Sequence, residues 1–550
     1  MPRLERRVGI LSLFCIFLLA GIFFRAFWLQ GVQGSSFASQ AASQQVDIVE
    51  IPGLRGAIID RNGQELAGSE PGASIYSTPY QIKDPQAESA AVATALGADQ
   101  GDVLEAITQP GGFSYVQKKV GLAQAQKVEK LGLEGIGQLP DTLRTRPQGD
   151  LASQVIGAVN EEGDGLTGLE SSEESALHGV NGQRRLVKDA LGDPIRLDTL
   201  RDASDGQSIQ LTIDAAIQDE AEKVLAKVGA NSNPVNASAI VMDTKTSQVL
   251  AMANWPPVDL DNLGEADPES LLNIGTSYNY EPGSTFKAFT IAAALQSKTV
   301  TPESTFTLAP SIQVYDRLIE EGHERGTVTL DVGDILAQSS NVGAVTIGLE
   351  MGGKKFGNWI DKFGFGHQTG IEYPGEEQGI VPAYKDYSGS TMGNLPIGQG
   401  LAVTPIQMVA AYGALANDGI LKQPKLIKSI GGVKTPVDPG HQVVSPEVAT
   451  EVRDMLKGVL APGGTAAEVS VPGYTLAGKT GTAQIAVDGG YSDTRYVASF
   501  MGIAPADNPR IAVSVMVNEP QGAHTGGEIA APAFGELASF VLPYLGVPTE

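Results

Sequence analysis

Ser284 and Lys287 stand three positions apart in the stretch EPGSTFKAFT, and no other serine of the chain has a lysine at that offset. A serine hydroxyl is nearly inert at neutral pH and becomes a nucleophile only beside a group that accepts its proton. A lysine can be that group if burial or neighbouring positive charge lowers its pKa. Pro282 and Gly283 break whatever precedes them, and the apolar run AFTIAAALQ behind them has helical composition. This context predicts Ser284 in the first turn of a helix, with Lys287 one turn on and on the same face. The orphan amides and positive dipole end of such a helix suit a developing oxyanion. A surface helix can carry the same pair, so the chemical reading depends on other stretches.

Two such stretches follow. In LAQSSNVGAV (336–345), the triplet Ser339-Ser340-Asn341 separates a helix-like VTLDVGDILAQ from a second apolar run. Serine and asparagine are preferred N-cap residues, so the triplet alone could be a helix cap. With SxxK upstream, Ser339 becomes a candidate proton relay and Asn341 a candidate amide clamp for a substrate backbone. In TLAGKTGTAQIA (475–486), Lys479, Thr480, Gly481 and Thr482 sit in a strand-like segment. Lys479 can hold a carboxylate by charge, and Thr480 and Thr482 can donate hydroxyls to it. Gly481 allows another backbone or a ligand to approach closely.

The elements that must position these residues read as an α+β chain. GQSIQLTID, from 206, is a strand ending at Asp214, followed by the helical AAIQDEAEKVLAKVG. SAIVMDT (238–244) and QVLAMAN (248–254) are strands joined by a turn. RYVASFMGIA (495–504) and RIAVSVMVNEP (510–520) form an antiparallel meander with the Lys479 strand, and a last helix spans about 528–544. Residues 392–419 hold a glycine-rich turn and a helix, without the spacing of a phosphate loop. The expected domains are a cytoplasmic N-terminus (1–7), a transmembrane anchor (8–29), a juxtamembrane linker (30–46), a pedestal (47–205) and a catalytic domain (206–550). In the pedestal, RGAIIDRNGQELA reads as a hairpin with exposed charges, and residues 86–135 read as helical.

The anchor, VGILSLFCIFLLAGIFF with the AFWL beyond Arg25, has about 22 residues and spans about 33 Å as a helix. Arg3, Arg6 and Arg7 in front predict a cytoplasmic N-terminus and an extracytoplasmic bulk. A cleaved signal peptide would need small residues where Phe23, Phe24, Phe27 and Trp28 stand. A net charge of −25 argues against nucleic acid as a partner. The only cysteine, Cys15, lies within the anchor, which excludes an internal disulfide and a cysteine–zinc cluster. His178, His323, His367, His441 and His524 show no metal-ligand spacing, so no metal or cofactor is expected.

An SxxK, an SxN and a KTG in that order resemble the penicillin-recognising serine acyltransferases. RGAIIDRNGQELA, GLE (168–170), YEPGSTFK, SSNVG, IGQGLAVTPIQ, AGKTGTAQ and VASFMGIAP together resemble class B penicillin-binding proteins, which are membrane-anchored peptidoglycan D,D-transpeptidases. The resemblance implies the penicillin-binding transpeptidase fold, an antiparallel sheet flanked by helices, on a dimerisation-type pedestal. It implies Ser284 as the acylated nucleophile, Lys287 as its base and Ser339 as a proton relay. Asn341 would orient Lys287, and Lys479, Thr480 and Thr482 would bind the carboxylate of a D-Ala-D-Ala stem. The backbone amides of Ser284 and Thr482 would form the oxyanion hole. Implied partners are stem peptides, β-lactam antibiotics, the membrane, a polytopic membrane glycosyltransferase and other division or elongation proteins. Moderate length and one compact pedestal lean toward a division enzyme. The rival readings are a serine β-lactamase and a scaffold for the glycan polymerase. The chain has an ExxLN-like stretch, Glu269–Asn273, but it lies ahead of Ser284 rather than behind SxN, as a class A β-lactamase would require.

Overall fold

The computed structural model describes residues 2–35, 46–188, 194–487 and 490–550. The linker expected over 30–46 therefore lies mostly outside the described residues. Helix α1 (Pro2–Phe27) carries the apolar N-terminal run and continues through a wider turn at Trp28–Val32. Within it, Arg6–Val32 is long and apolar enough to cross a membrane.

Packing divides the chain into two units, one made of residues 1–54, 70–143 and 179–206, the other of 55–69, 144–178 and 207–550. In the first, Val46–Ile51, Gly182–Lys188 and Pro194–Arg201 form an antiparallel three-stranded sheet. Helices Pro85–Leu96, Gln100–Thr108 and Leu122–Glu129 gather around Ile75, Val92, Val103, Ile107 and Val120. The helical reading of 86–135 is interrupted by a strand, Ser114–Gly121. Its Tyr115, Val116 and Val120 are residues that favour a pleated, half-buried surface.

In the second unit the RGAIIDRNGQELA stretch is the hairpin its turn residues predict. Ile58–Ile59 pairs antiparallel with Glu65–Ala67, and also parallel with Ile209–Gln210. Two of its charges, Arg55 and Asp60, are however buried rather than exposed. Asp60 is 1% exposed and accepts backbone N–H groups of Asn62 and Gln64 at 2.7 and 2.8 Å. Arg55 meets Glu170 of the GLE stretch at 2.6 Å, and Arg144 meets the same carboxylate at 2.6 Å. Two guanidinium groups on one carboxylate satisfy a charge that would be costly to bury alone.

The core of this unit is a five-stranded antiparallel sheet between helices. In chain order its parts are α2 (Ala215–Ser232), β1 (Asn236–Asp243), β2 (Val249–Trp255), α3 (Lys287–Gln296), α4 (Asn341–Met351), α5 (Pro405–Ala416), β3 (Ala477–Val487), β4 (Gly490–Ala504), β5 (Ile511–Asn518) and α6 (Ala530–Tyr544). The spatial order is β2-β1-β5-β4-β3. The strands read as near-continuous apolar runs because both faces are covered. Ala237, Ala239, Val241, Phe500, Val513 and Val515 pack with Ile217 and Val224 of α2 and Phe534 and Leu537 of α6. Alternate residues turn to the opposite face. Val497, Met501 and Met516 join Met408 of α5 and Phe286 and Phe289 at the start of α3. Helix α5 is buried along its whole length, which is why it is apolar all round. It opens with a capping box between Thr404 and Gln407, with Pro405 at the first helical position.

The helix-like VTLDVGDILAQ divides. Val328–Asp331 is a strand paired with Thr305–Leu308, and the helix begins at Val332. β-Branched Val328 and Thr329 suit the strand, and Asp331 caps the helix by accepting from Asp334 N at 2.7 Å. Phe534 is fully buried, its ring 5.0 Å from that of Phe500. Phe534→Ala is expected to destabilise the unit by about 3–5 kcal/mol. A thermal-unfolding midpoint that falls by several degrees would confirm the sheet–α6 packing, and an unchanged midpoint would contradict it.

Candidate active site

Ser284 lies one step earlier than expected, in a tight 3-10 turn, Gly283–Phe286, from which α3 continues at Lys287. The turn is held on several sides. Gly283 has φ +53°, in the left-handed region that favours glycine. Its N–H donates to Gly398 O at 3.0 Å, and Thr285 Oγ1 donates to Pro282 O at 2.7 Å. From α5, Tyr412 Oη donates to Thr285 O at 2.7 Å. Phe286 and Phe289 anchor the turn below, with Phe365 and Tyr412 ring to ring.

Within the Ser339-Ser340-Asn341 triplet, capping falls to the middle residue alone. Ser340 is the N-cap of α4, its Oγ accepting from Gly343 N at 3.0 Å. Ser339, at φ +61°, and Asn341 face Lys287 instead. Lys287 Nζ donates to Ser339 O at 2.6 Å, to Asn341 Oδ1 at 2.7 Å and to Ser339 Oγ at 3.3 Å. Lys287 is only 1% exposed. Burial brings its pKa from the usual 10.5 down to about 7; Glu321 opposes this shift and Arg325 adds to it. A neutral amine has two N–H donors and one lone pair. Ser339 O and Asn341 Oδ1 match the two donors, which leaves the lone pair free to accept a proton.

The third stretch lies on β3. Lys479 is fully buried, and its Nζ donates to Thr480 O at 3.1 Å and Thr480 Oγ1 at 3.3 Å. Burial, with Lys287 nearby, holds it well below an ordinary lysine. Thr480 Oγ1 pairs with Thr465 Oγ1 at 2.6 Å, and Thr482 Oγ1 accepts from Gly526 N at 3.1 Å. Gly481 allows β3 to lie against the Ser284 turn. A Cβ there would stand 2.4 Å from Ser499 Oγ and 2.9 Å from Pro282 O.

A cavity of about 640 Å³ opens on this group, and its walls include Ser284, Ser339, Asn341, Thr480 and Thr482. Arg317, His323 and the stacked pair Tyr496 and His524, 4.4 Å between ring centres, also line it. All three motifs thus converge, with Lys287, Lys479 and Gly481 buried and the hydroxyls and Asn341 lining open space. Sequence reasoning missed Glu321, Arg325, Thr465 and Tyr412. Glu321 and Arg325 stand in the charge run EEGHER, which reads as a solvated loop. Among the described residues, Asp164, Glu174 and His178 bring possible metal-ligand atoms within 4.8 Å of one another. Glu174 is already paired with Arg55 at 2.7 Å there.

A serine beside a buried low-pKa lysine, facing hydroxyl donors across one cavity on an antiparallel sheet, defines a serine acyltransferase site. Residues 237–539 match the family described as the penicillin binding protein transpeptidase domain, and residues 50–211 match the penicillin-binding protein dimerisation domain. The chain belongs to the penicillin-binding protein transpeptidase family. It is 32% identical to the penicillin-binding protein PbpB of Mycolicibacterium smegmatis, over 99% of this chain and 91% of that protein. It is 31% identical to the peptidoglycan D,D-transpeptidase FtsI of Escherichia coli K12, over 98% of this chain and 91% of that one. The structure of penicillin binding protein 3 from Mycobacterium tuberculosis in complex with aztreonam superposes with a TM-score of 0.72 at 30% identity, covering 92% of this chain and 98% of that one.

Lys287 accepts a proton only as the free amine, which predominates above its pKa of about 7. The rate at which penicillin acylates the detergent-solubilised chain should therefore rise about tenfold per pH unit below neutrality and level off above it. A profile that breaks near pH 10 instead would mean that the lysine is solvated. Gly481→Val should slow acylation by about a hundredfold or more by forcing β3 off the Ser284 turn. A rate within a few-fold of wild type would show that the close approach is not needed.

Proposed function

We propose that this chain is a membrane-anchored peptidoglycan D,D-transpeptidase that cross-links stem peptides through an acyl-enzyme on Ser284 during septal wall synthesis. The observation that carries the reading is the Lys287 amine, sealed from water and held by Ser339 O and Asn341 Oδ1. Support also comes from the relatives, named peptidoglycan D,D-transpeptidases and PbpB, and from the related structure with aztreonam.

In this reading Ser284 Oγ attacks the carbonyl between two D-alanines, and its proton passes to Lys287 Nζ. The developing oxyanion is met by the N–H groups of Ser284 and Thr482. The C–N bond breaks, and the proton moves to the leaving D-alanine amine through Ser339 Oγ. An amine of a neighbouring stem then attacks the ester and gives its proton to Lys287, and Ser284 recovers its own. General-base and oxyanion contributions are each worth about a hundredfold or more. Thr480 and Thr482 meet the terminal carboxylate in the cavity. Lys479, buried behind them, acts through Thr480.

The same proposal takes α1 as the anchor, with its arginine-rich start in the cytoplasm and the bulk of the chain outside. It takes residues 47–205 as a pedestal, although 55–69 and 144–178 pack with the catalytic unit. The anchor and pedestal would dock on a polytopic membrane glycosyltransferase. Intact-mass measurement of the full chain in detergent, mixed with benzylpenicillin, tests the chemistry. A single adduct that persists for many minutes, and is absent from Ser284→Ala, is the expected result. Rapid turnover of the drug would instead make the chain a β-lactamase, and no adduct at all would leave a scaffold.

A further inference from the structure

The acyl-transfer reading accounts for Lys287 and Asn341 but not for what fixes Asn341. That residue is held from one dipeptide, Glu320-Glu321, at the end of the strand Arg317–Glu320. Asn341 Nδ2 donates to Glu320 O at 2.8 Å, and Asn341 N donates to Glu321 Oε2 at 2.8 Å. The other carboxylate oxygen, Oε1, accepts from Ser340 Oγ at 2.7 Å and from Val342 N at 3.3 Å. It also pairs with Arg325, whose Nη2 donates to Ser340 Oγ at 3.0 Å. The Glu321 side chain is only 5% exposed.

Three consequences follow from this geometry. Because the amide NH₂ of Asn341 is engaged by Glu320 O, its carbonyl oxygen must turn toward Lys287. Because Glu321 takes two backbone amides and the cap hydroxyl, it sets where α4 begins. A carboxylate at that helix start is also favoured by the helix dipole.

We propose that Glu321 is a positioning residue for acyl transfer, one that locks the first turn of α4 so that Asn341 presents its carbonyl oxygen to the base Lys287. The inference rests on the transpeptidase reading and deepens it. Glu321 also places a negative charge near Lys287 and Arg325 a positive one, while the Lys479 amine is buried close by. Glu320, Arg317 and His323 line the cavity from the same segment.

Charge and geometry can be separated by variants of the detergent-solubilised full chain, acylated by benzylpenicillin from pH 5.5 to 9.5, with thermal unfolding measured in parallel. Glu321→Gln removes the negative charge and leaves Arg325 unpaired, so Lys287 loses its proton more readily. The midpoint of the profile should move down by about one pH unit, and the alkaline plateau should fall by roughly tenfold to a hundredfold. Glu321→Asp keeps the charge but is one methylene shorter, so the plateau should fall with the midpoint in place. Arg325→Gln removes the opposing positive charge, so the midpoint should move up. If Glu321→Gln fails to fold, the other two variants carry the test. Unchanged midpoints and plateaus in folded variants would overturn the proposal. So would a plateau loss that only tracks unfolded protein. A wild-type chain that forms no adduct would overturn the transpeptidase reading itself, an outcome distinct from an active wild type beside unaltered variants.

Discussion

The site depends on keeping water away from the Lys287 amine. An ammonium is strongly hydrated, and removing its water favours the neutral form more than any nearby charge does here. Every feature around it serves that end without leaving the amine unsatisfied. Ser339 O and Asn341 Oδ1 replace the lost hydration, and the aromatic residues Phe286, Phe289, Phe365 and Tyr412 pack under the turn that carries Ser284. A second buried lysine, Lys479, hydrogen-bonds Thr480 of its own strand. Both buried amines lie within a large apolar core that covers the two faces of the sheet.

That requirement explains the close contacts between elements. Burying the amine beside an open cavity requires the Ser284 turn, α4 and β3 to pack closely around it. Backbone therefore approaches backbone, at Gly481 over Pro282 and at Gly398 beside Gly283. Glycine at these positions allows backbone approaches that a side chain would block. Helix α5, apolar on all sides, is the buttress, since its Tyr412 reaches the turn from below. The turn is thus held in place before any substrate arrives, which is what electrostatic preorganisation requires.

The local setting of the three motifs is legible because each carries its own signal. Pro282-Gly283 announces a turn, the KTG stretch sits in a strand, and the apolar runs of β1 and β5 are too short for buried helices, that of β5 being rich in β-branched residues. The N-terminal apolar helix was equally plain. Less legible were features decided by partners distant in sequence. The strand Val328–Asp331 exists because Thr305–Leu308 lies beside it, and the strand Ser114–Gly121 because Gly72–Ser77 does. Asp60 and Arg55 looked like exposed hairpin charges because Ala215 and Glu170, which satisfy them, lie more than a hundred residues away. Lys479 reads in sequence as a carboxylate holder, and only the fold reveals that it is fully buried against Thr480. The SSN triplet is ambiguous in sequence because capping and chemistry use the same residue types; in the fold Ser340 caps α4 while Ser339 and Asn341 contact Lys287.

The way the chain passes back and forth between its two units bears on how the protein is made. The hairpin at Ile58 leaves the ribosome early, yet the parallel partner that completes its ladder, Ile209–Gln210, is translated only after the whole helical part of the other unit. Closing so long a loop is entropically expensive. The smaller unit can gather around its own core at Ile75 and Val92 while the catalytic half is still unmade. Once that core has formed, residues 55–69 and 144–178 are tethered at both ends, which shortens the search the later sheet must make. Vectorial synthesis would then order the assembly, so that the acyltransferase is built onto a framework already in place.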